Sequence, residues 1–193
     1  PPYPKEGERV WLHFDNINRY ADFYFNGVKI SGTELSIKDV SGHMLRSKFD
    51  VTDLISKTGK NAIAVLIYDA NQKKTRDAKD GFGITASPTY LSAAGWDWMP
   101  YVPGRLHGIT GNVYLEVTGD VVMEDPWIRS ELESNEIADL SFQTALKNCS
   151  NMKKDVTVTI TVQPGNISVS KNIGLQAGEA GMVYLNRKQF EEL

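Results

Sequence analysis

The most constraining feature of this 193-residue sequence is a succession of short runs in which apolar and polar residues alternate. The clearest run, VTVTITV at residues 156–162, has a strict period of two and ends at the turn-forming segment QPGN. Successive side chains of a β-strand point to opposite faces, so this period collects the apolar residues on one face. Other short runs rich in apolar, β-branched or aromatic residues occur at residues 10–14, 21–25, 62–68, 113–117 and 138–146. The pattern predicts an all-β chain in which helix is scarce.

Two local signals predict how the first strands are connected. Asn26 and Gly27 stand between Phe25 and Val28 and form the dipeptide that tolerates positive φ at both positions, which predicts a tight hairpin. Residues 50–55, DVTDLI, place capping side chains before a short apolar segment and predict a single helical turn.

The spacing of strand-like runs and turns along the chain predicts two domains, residues 1–119 and residues 120–193. After Thr118-Gly119-Asp120 the runs recur about every ten residues and are separated by polar turns. That spacing is typical of an immunoglobulin-like β-sandwich, although the Cys…Trp…Cys framework of that fold is absent.

Charge and hydropathy exclude several functional classes. The formal net charge is −3 and the sequence pI is about 5.7. Basic residues cluster no further than pairs such as Lys73-Lys74, so we expect no nucleic-acid partner. No apolar run approaches the roughly 20 residues that a membrane span requires, so we expect no membrane partner.

The sequence also lacks the patterns of ligand residues that are typical of metal sites and cofactor sites. A single cysteine, Cys149, excludes an intrachain disulfide and a multi-cysteine metal site. The carboxylates of residues 69–80 lack the regular ligand spacing of a calcium loop, and lysines stand among them. We therefore expect neither a metal nor a cofactor.

The densest group of chemically distinctive residues is AGWDWMPYVPGR at residues 94–105. Proline lacks a ladder N–H and fixes φ, so this segment is predicted to be a rigid, irregular loop. Indole rings pack on the apolar C–H faces of sugars, while Asp97 or Arg105 would bind hydroxyl groups. The alternative is a tryptophan corner that seals the core of the sandwich.

The motif GWDWMP at residues 95–100, followed by GI at 108–109 and VYLE at 113–116, resembles the end of a known domain. That domain is the sugar-binding domain of glycoside hydrolase family 2, in particular of its β-mannosidase and exo-β-glucosaminidase branch. Four earlier segments match in the same order, and an ordered set is more specific than any single short motif. They are LHFD at 12–15, ADFYFNG at 21–27, FDVTDL at 49–54 and GKNAIAV at 59–65.

The resemblance implies a galactose-binding-like jelly-roll sandwich, then an immunoglobulin-like sandwich that ends incomplete, and then a catalytic (β/α)₈ barrel. Family members hydrolyse terminal β-glycosides with retention, using one carboxyl group as acid/base and another as nucleophile. Both groups would lie beyond Leu193, so no catalytic residue is expected here and the chain alone is expected to be inactive. Asn135-Glu136 imitates the acid/base pair of the family but is interpreted as a solvated turn. A periplasmic or secreted bacterial protein is implied.

In this branch the Trp-Asp-Trp loop reaches the rim of the catalytic pocket. By motif match, Asp97 binds substrate hydroxyls, while Trp96 and Trp98 shape the rim or brace the loop. The implied partners are a terminal β-linked sugar or oligosaccharide and the catalytic barrel of the same chain. Met99 and Thr110 depart from the pattern of mannosidase-like members, so a β-mannoside is the first substrate hypothesis only. A stand-alone carbohydrate-binding module and a structural tandem β-sandwich remain as alternatives.

Overall fold

The computed structural model describes residues 3–18, 20–38, 45–68 and 108–193, and these residues form strands and one 3-10 helical turn. The predicted all-β class is therefore confirmed. The chain divides into two compact units, Pro1–Val117 and Thr118–Leu193. Within the described ranges, no helix has the length and apolar character needed to cross a membrane.

The described residues of the first unit form three sheets, with strand orders β5-β6-β1-β9, β4-β3-β7 and β2-β8. The first two sheets contribute apolar rows to one core. The strands are β1 (Arg9–Phe14), β2 (Ile17–Asn18), β3 (Tyr20–Phe25), β4 (Val28–Lys29), β5 (Ser36–Lys38), β6 (Ser47–Asp50), β7 (Ile63–Tyr68), β8 (Gly108–Ile109) and β9 (Val113–Thr118).

Three phenylalanine rings lie at the centre of this core. Phe14 of β1 and Phe49 of β6 belong to one sheet, and Phe23 of β3 belongs to another. The ring centroid of Phe23 lies 4.6 Å from that of Phe14 and 4.8 Å from that of Phe49, at tilted angles. Burial of each ring contributes about 1.5–3 kcal/mol to folding. This cluster joins the two sheets.

The predicted hairpin is confirmed, and the predicted helical turn is present, although its N-cap residue is Val51 and no side chain caps it. Asn26 and Gly27 have φ values of 49° and 82° and link β3 to β4. The Asn26 side chain also accepts a hydrogen bond from the N–H of Ala62 at 2.8 Å, which joins the hairpin to the start of β7. The helical turn spans Thr52–Leu54, and the side chain of Asp50 accepts a hydrogen bond from the N–H of Thr52 at 3.0 Å.

The second unit contains two sheets, with strand orders β10-β11-β14 and β12-β13. The predicted turn between β12 and β13 is confirmed, with Gly165 and Asn166 at φ values of 112° and 52°. Asn135-Glu136 lies in the exposed connection between β10 and β11, as the sequence predicts. The strands are β10 (Val121–Leu132), β11 (Ala138–Asn148), β12 (Lys154–Val162), β13 (Ile167–Leu175) and β14 (Ala180–Asn186).

Asn148 fixes the end of β11 in the second unit. Its side chain is fully buried, and its amide nitrogen lies 2.7 Å from the carbonyl oxygen of Met152 and 2.9 Å from that of Gln176. The amide oxygen accepts from the N–H and the hydroxyl of Ser150, at 3.0 and 2.7 Å. The Asn148 side chain thus forms hydrogen bonds with main-chain groups of two connecting segments, one after β11 and one after β13.

We expect Asn148→Ala to lower the free energy of unfolding of the second unit by about 2–4 kcal/mol, because buried carbonyl groups lose their donor. Urea denaturation of the chain measures the change. Asn151→Ala is the matched control, because Asn151 is exposed in the connection between β11 and β12 and its replacement should cost less than about 0.5 kcal/mol. Equal losses in both variants would contradict the role of Asn148.

Candidate functional site

The residues predicted to bind sugar, Asp97, Trp96 and Trp98, lie outside the described residues, as does Arg105. Their proposed contacts therefore stay predictions. The structure does describe the framework on either side of residues 69–107, because β7 ends at Tyr68 and β8 begins at Gly108.

Both flanks of residues 69–107 pair with the same stretch of chain. Tyr68 of β7 pairs with Tyr20, and Gly108 of β8 pairs with Asn18, which is fully buried. Residues two apart in extended chain are separated by about 7 Å, and paired residues by about 5 Å. Tyr68 and Gly108 are therefore held within roughly 17 Å of each other.

The chain after Gly108 is joined to the turn that follows β1. The N–H of Thr110 donates to the carbonyl oxygen of Asn16 at 3.1 Å, and the Asn16 amide donates to the Thr110 hydroxyl at 2.6 Å. The N–H of Asp15 donates to the carbonyl oxygen of Asn112 at 2.9 Å. These hydrogen bonds anchor the C-terminal flank to the turn that follows β1.

Gly111 lets the two segments approach this closely. A Cβ atom at Gly111 would lie 2.8 Å from the backbone nitrogen of Asn16 and 2.9 Å from the Cβ of Asp15. Neither atom is the free end of a flexible side chain, so an added methyl group would push the segments apart.

We expect Gly111→Ala to lower the free energy of unfolding of the first unit by about 1–3 kcal/mol, because the substitution overpacks a backbone contact. Thermal denaturation measures the loss. The control is Gly119→Ala, because a Cβ atom at Gly119 meets nothing within 4 Å. If both variants melt at the same temperature, the close approach at Gly111 does not constrain the flank.

On the other flank, Tyr68 belongs to a polar cluster around Asp22. Phe23 is buried in the core, so its neighbour Asp22 lies on the outer face of the sheet. The Asp22 carboxylate contacts the Lys29 ammonium at 2.8 Å and accepts from the Tyr68 hydroxyl at 2.8 Å. It also accepts from the Ser31 hydroxyl at 3.2 Å. The sequence motif that contains Asp22 gave no indication of this cluster.

Hydrogen bonding and charge shift three titrations in this cluster away from neutral pH. The hydrogen bond from Lys29, followed by that from Tyr68, lowers the pKa of Asp22. The hydrogen bond to Asp22 raises the pKa of Lys29, and the same acceptor, aided by burial, raises the pKa of Tyr68. At pH 7 Asp22 is therefore a carboxylate, Lys29 an ammonium group and Tyr68 a neutral phenol. Such groups suit the binding of hydroxyl groups, whereas acid/base catalysis favours a pKa near neutrality.

We expect Lys29→Met and Tyr68→Phe to raise the pKa of Asp22, with the larger shift in Lys29→Met because that contact is the dominant cause. An NMR titration of the Asp22 carboxyl group measures both shifts. The pKa of Asp22 is lower in the folded state than in the unfolded state. The Asp22 carboxylate therefore stabilises the folded state fully above the ordinary pKa of about 3.9, and this stabilisation is lost as pH falls through the folded-state pKa. Tyr184→Phe, in the second unit, should leave the titration unchanged. An unshifted Asp22 pKa in Lys29→Met would contradict the ion pair.

The outer face of the other large sheet carries a second network. The Nε2 atom of His13 lies 2.9 Å from the carboxylate of Glu116. The His13 ring stacks on the Tyr114 ring at a centroid distance of 4.6 Å. The Lys48 ammonium lies 3.7 Å from Glu116 and 4.7 Å from the ring centroid of Trp11. Among the described residues, no three His, Cys, Asp or Glu side chains come together as a metal site. We interpret this network as structural.

Residues 1–111 match the family described as glycosyl hydrolase 2 galactose-binding domain-like. The mannosylglycoprotein endo-β-mannosidase of Lilium longiflorum is 30% identical to the chain over 162 residues. The alignment covers 81% of this chain and 16% of that protein. The chain therefore spans less than a fifth of the length of this relative.

Solved structures share the fold. A β-glucuronidase of Bacteroides uniformis superposes with a TM-score of 0.69 at 20% identity, over 96% of this chain and 20% of that chain. The exo-chitosanase CsxA of Amycolatopsis orientalis superposes with a TM-score of 0.70 at 24% identity. The match covers 97% of this chain and 20% of that chain. At these identities the likeness establishes the fold, and the family match over residues 1–111 establishes membership. The chain belongs to glycoside hydrolase family 2, and residues 1–111 are its galactose-binding-like domain.

Proposed function

We propose that the chain is the non-catalytic N-terminal part of a longer retaining exo-β-glycosidase and that residues 96–98 complete the sugar pocket of that enzyme. The observation that carries the proposal is the family match over residues 1–111. The relatives are also much longer, since the chain covers 16% of the lily protein and 20% of each bacterial enzyme.

In this proposal the chemistry belongs to residues outside the chain. A retaining glycosidase needs two carboxyl groups about 5 Å apart, one acting as acid/base and the other as nucleophile. We place both in a barrel that follows Leu193. The 193-residue chain then hydrolyses no glycoside by itself.

Asp97 contributes binding energy in this proposal. A carboxylate that accepts hydrogen bonds from two sugar hydroxyls fixes the orientation of the ring, and the indoles of Trp96 and Trp98 cover its apolar face or brace the loop. The described framework supports this assignment, because the main-chain contacts at Asn16 and Gly111 fix the chain that follows the Trp-Asp-Trp motif.

The first substrate hypothesis is a β-mannoside. The name of the lily relative specifies β-mannosidase activity, and the name of the Bacteroides enzyme specifies a β-glucuronide. The lily relative is named an endo-enzyme and CsxA an exo-enzyme. A panel of p-nitrophenyl β-mannoside, β-glucosaminide and β-glucuronide, together with β-linked mannooligosaccharides, separates these substrates and the two modes of cleavage.

We expect Asp97→Ala in the full-length enzyme to lower kcat/KM by about 5- to 150-fold, because a lost hydroxyl contact costs about 1–3 kcal/mol. Steady-state kinetics on the preferred p-nitrophenyl glycoside measure the loss. Asp53→Ala is the matched control, because Asp53 is an exposed carboxylate of the same unit on the helical turn Thr52–Leu54. Its kinetics should equal those of the wild type.

Two outcomes would contradict the proposal. Unchanged kinetics in Asp97→Ala would remove Asp97 from the pocket. Oligosaccharide binding by the 193-residue chain alone, abolished by Asp97→Ala, would instead favour a stand-alone carbohydrate-binding module. Isothermal titration of the chain with mannooligosaccharides tests the second outcome.

A further inference from the structure

The outer face of the sheet β10-β11-β14 carries a row of three side chains that crosses all three strands. Trp127 on β10 pairs with Gln143 on β11, and Gln143 pairs with Tyr184 on β14. Phe142 packs against the core of the unit, and Leu185 belongs to that core. Side chains alternate along a strand, so the neighbouring residues Gln143 and Tyr184, and with them Trp127, point outward. An amide therefore lies between two aromatic side chains on one surface.

Both aromatic side chains of this row are open to solvent. Trp127 is 52% exposed, and Tyr184 is 49% exposed. Contiguous exposed apolar surface marks interaction sites more often than single exposed residues do. Neighbouring strands lie about 4.8 Å apart, so the two aromatic residues are separated by roughly 10 Å across the sheet. This separation is comparable with the length of a disaccharide.

The next row along the same strands is polar. Arg129 pairs with Ser141, and Ser141 pairs with Asn186. These three residues line an open cleft of about 370 Å³ on the outer face, together with Glu131 and Asp139. Small-molecule sites have volumes from about 300 Å³ upward. Guanidinium, hydroxyl, amide and carboxylate groups supply the donors and acceptors that hydroxyl groups need.

The charges around this cleft are mostly paired within the protein. Arg129 forms an ion pair with Glu131, and Arg187 forms one with Asp139. An acidic ligand would therefore meet two neutralised guanidinium groups and one further cation, Lys188. A protein surface that covered the cleft would desolvate both ion pairs, which costs free energy. A neutral ligand rich in hydroxyl groups can instead form hydrogen bonds with these groups at the open surface, as water does.

We propose that this outer face is a carbohydrate-binding site of the second unit, in which Trp127 and Tyr184 stack on two rings of a β-linked oligosaccharide. Sugars joined through equatorial bonds form extended chains with flat C–H faces, and such faces suit aromatic rings that lie side by side on a sheet. Gln143 lies between the two rings and hydrogen-bonds hydroxyl groups there, while the polar row of Arg129, Ser141 and Asn186 binds the hydroxyl groups along one edge of the sugar chain.

The inference goes beyond the proposed function and does not depend on it, because no residue of the first unit takes part. Isothermal titration of the 193-residue chain with mannohexaose and with cellohexaose, two neutral β-linked hexasaccharides, tests it. We expect at least one of them to bind. Trp127→Ala should weaken that binding by at least about 10-fold, because it removes one stacking surface. Tyr184→Ala, on a different strand, should weaken it too, so the test does not depend on the folding of one variant.

Ile128→Ala is the matched control. Ile128 follows Trp127 on β10 and is 65% exposed, but it pairs with Phe142 and so lies on the opposite face of the sheet. Its replacement removes exposed apolar surface from the same strand and should leave the affinity unchanged. Equal losses of affinity in Ile128→Ala and Trp127→Ala would overturn the proposal.

Pulsed hydroxyl-radical footprinting extends the test to the full-length protein. The Trp127 indole should be oxidised readily in the absence of sugar and more slowly when the bound hexasaccharide is present. Protection of Trp127 in the absence of sugar would show that another part of the protein covers this face, and it would overturn the proposal.

Two results of the titration would also overturn the proposal. One is that neither hexasaccharide binds the wild-type chain. The other is binding that is lost in Asp97→Ala and kept in Trp127→Ala, because it would place the sugar on the first unit. The affinity of the Trp127 row is measured separately from the kinetics of Asp97→Ala. Sugar binding by the second unit can therefore fail while Asp97→Ala still lowers kcat/KM, and the reverse result is equally recognisable.

Discussion

The contact on which the first unit depends is the cluster of Phe14, Phe23 and Phe49, because it joins β1 and β6 to β3. In the chain, β2 lies between β1 and β3, and β2 and β3 carry the partners of both flanks of residues 69–107. The same cluster directs Asp22 outward, since Phe23 points inward. Loss of the aromatic contact would therefore disturb the core, the flanks and the polar cluster together.

The second unit shows what happens when an apolar row lacks a facing layer. Burial of Val183 and Leu185 is complete at β14, whereas Met123 and Ile128 remain in solvent. Exposed apolar side chains beside a free strand edge favour association, which natural sheets suppress with charges, bulges or covering segments. In β12 the charged side chains are confined to its first two residues, Lys154 and Asp155, and the rest of the strand alternates aliphatic and threonine side chains.

The sequence predicts most of the fold, because alternation and turn chemistry are local properties. The runs at residues 10–14 and 156–162 become β1 and β12, and Asn26-Gly27 forms the predicted hairpin. The contacts of the candidate site are harder to predict from the sequence, because they join residues that are far apart in the chain. Tyr68 reaches Asp22 across 46 residues, and His13 reaches Glu116 across 103. Gly111 illustrates the same limit, since its close approach to Asn16 depends on how two connecting segments, distant in sequence, meet. The sugar-binding roles of residues 96–98 come from family resemblance and stay predictions.

The buried position of Asn148 has a consequence for how the protein can be produced. Asn148-Cys149-Ser150 has the sequence of an N-linked glycan acceptor. Its amide nitrogen lies in the folded interior against carbonyl oxygens, where a glycan cannot be accommodated. Enzymatic attachment to the nascent chain in a eukaryotic secretory pathway would therefore compete with folding of the second unit. Material modified at this position would lack the amide contacts that fix the end of β11, so a host without this modification suits production of the native protein.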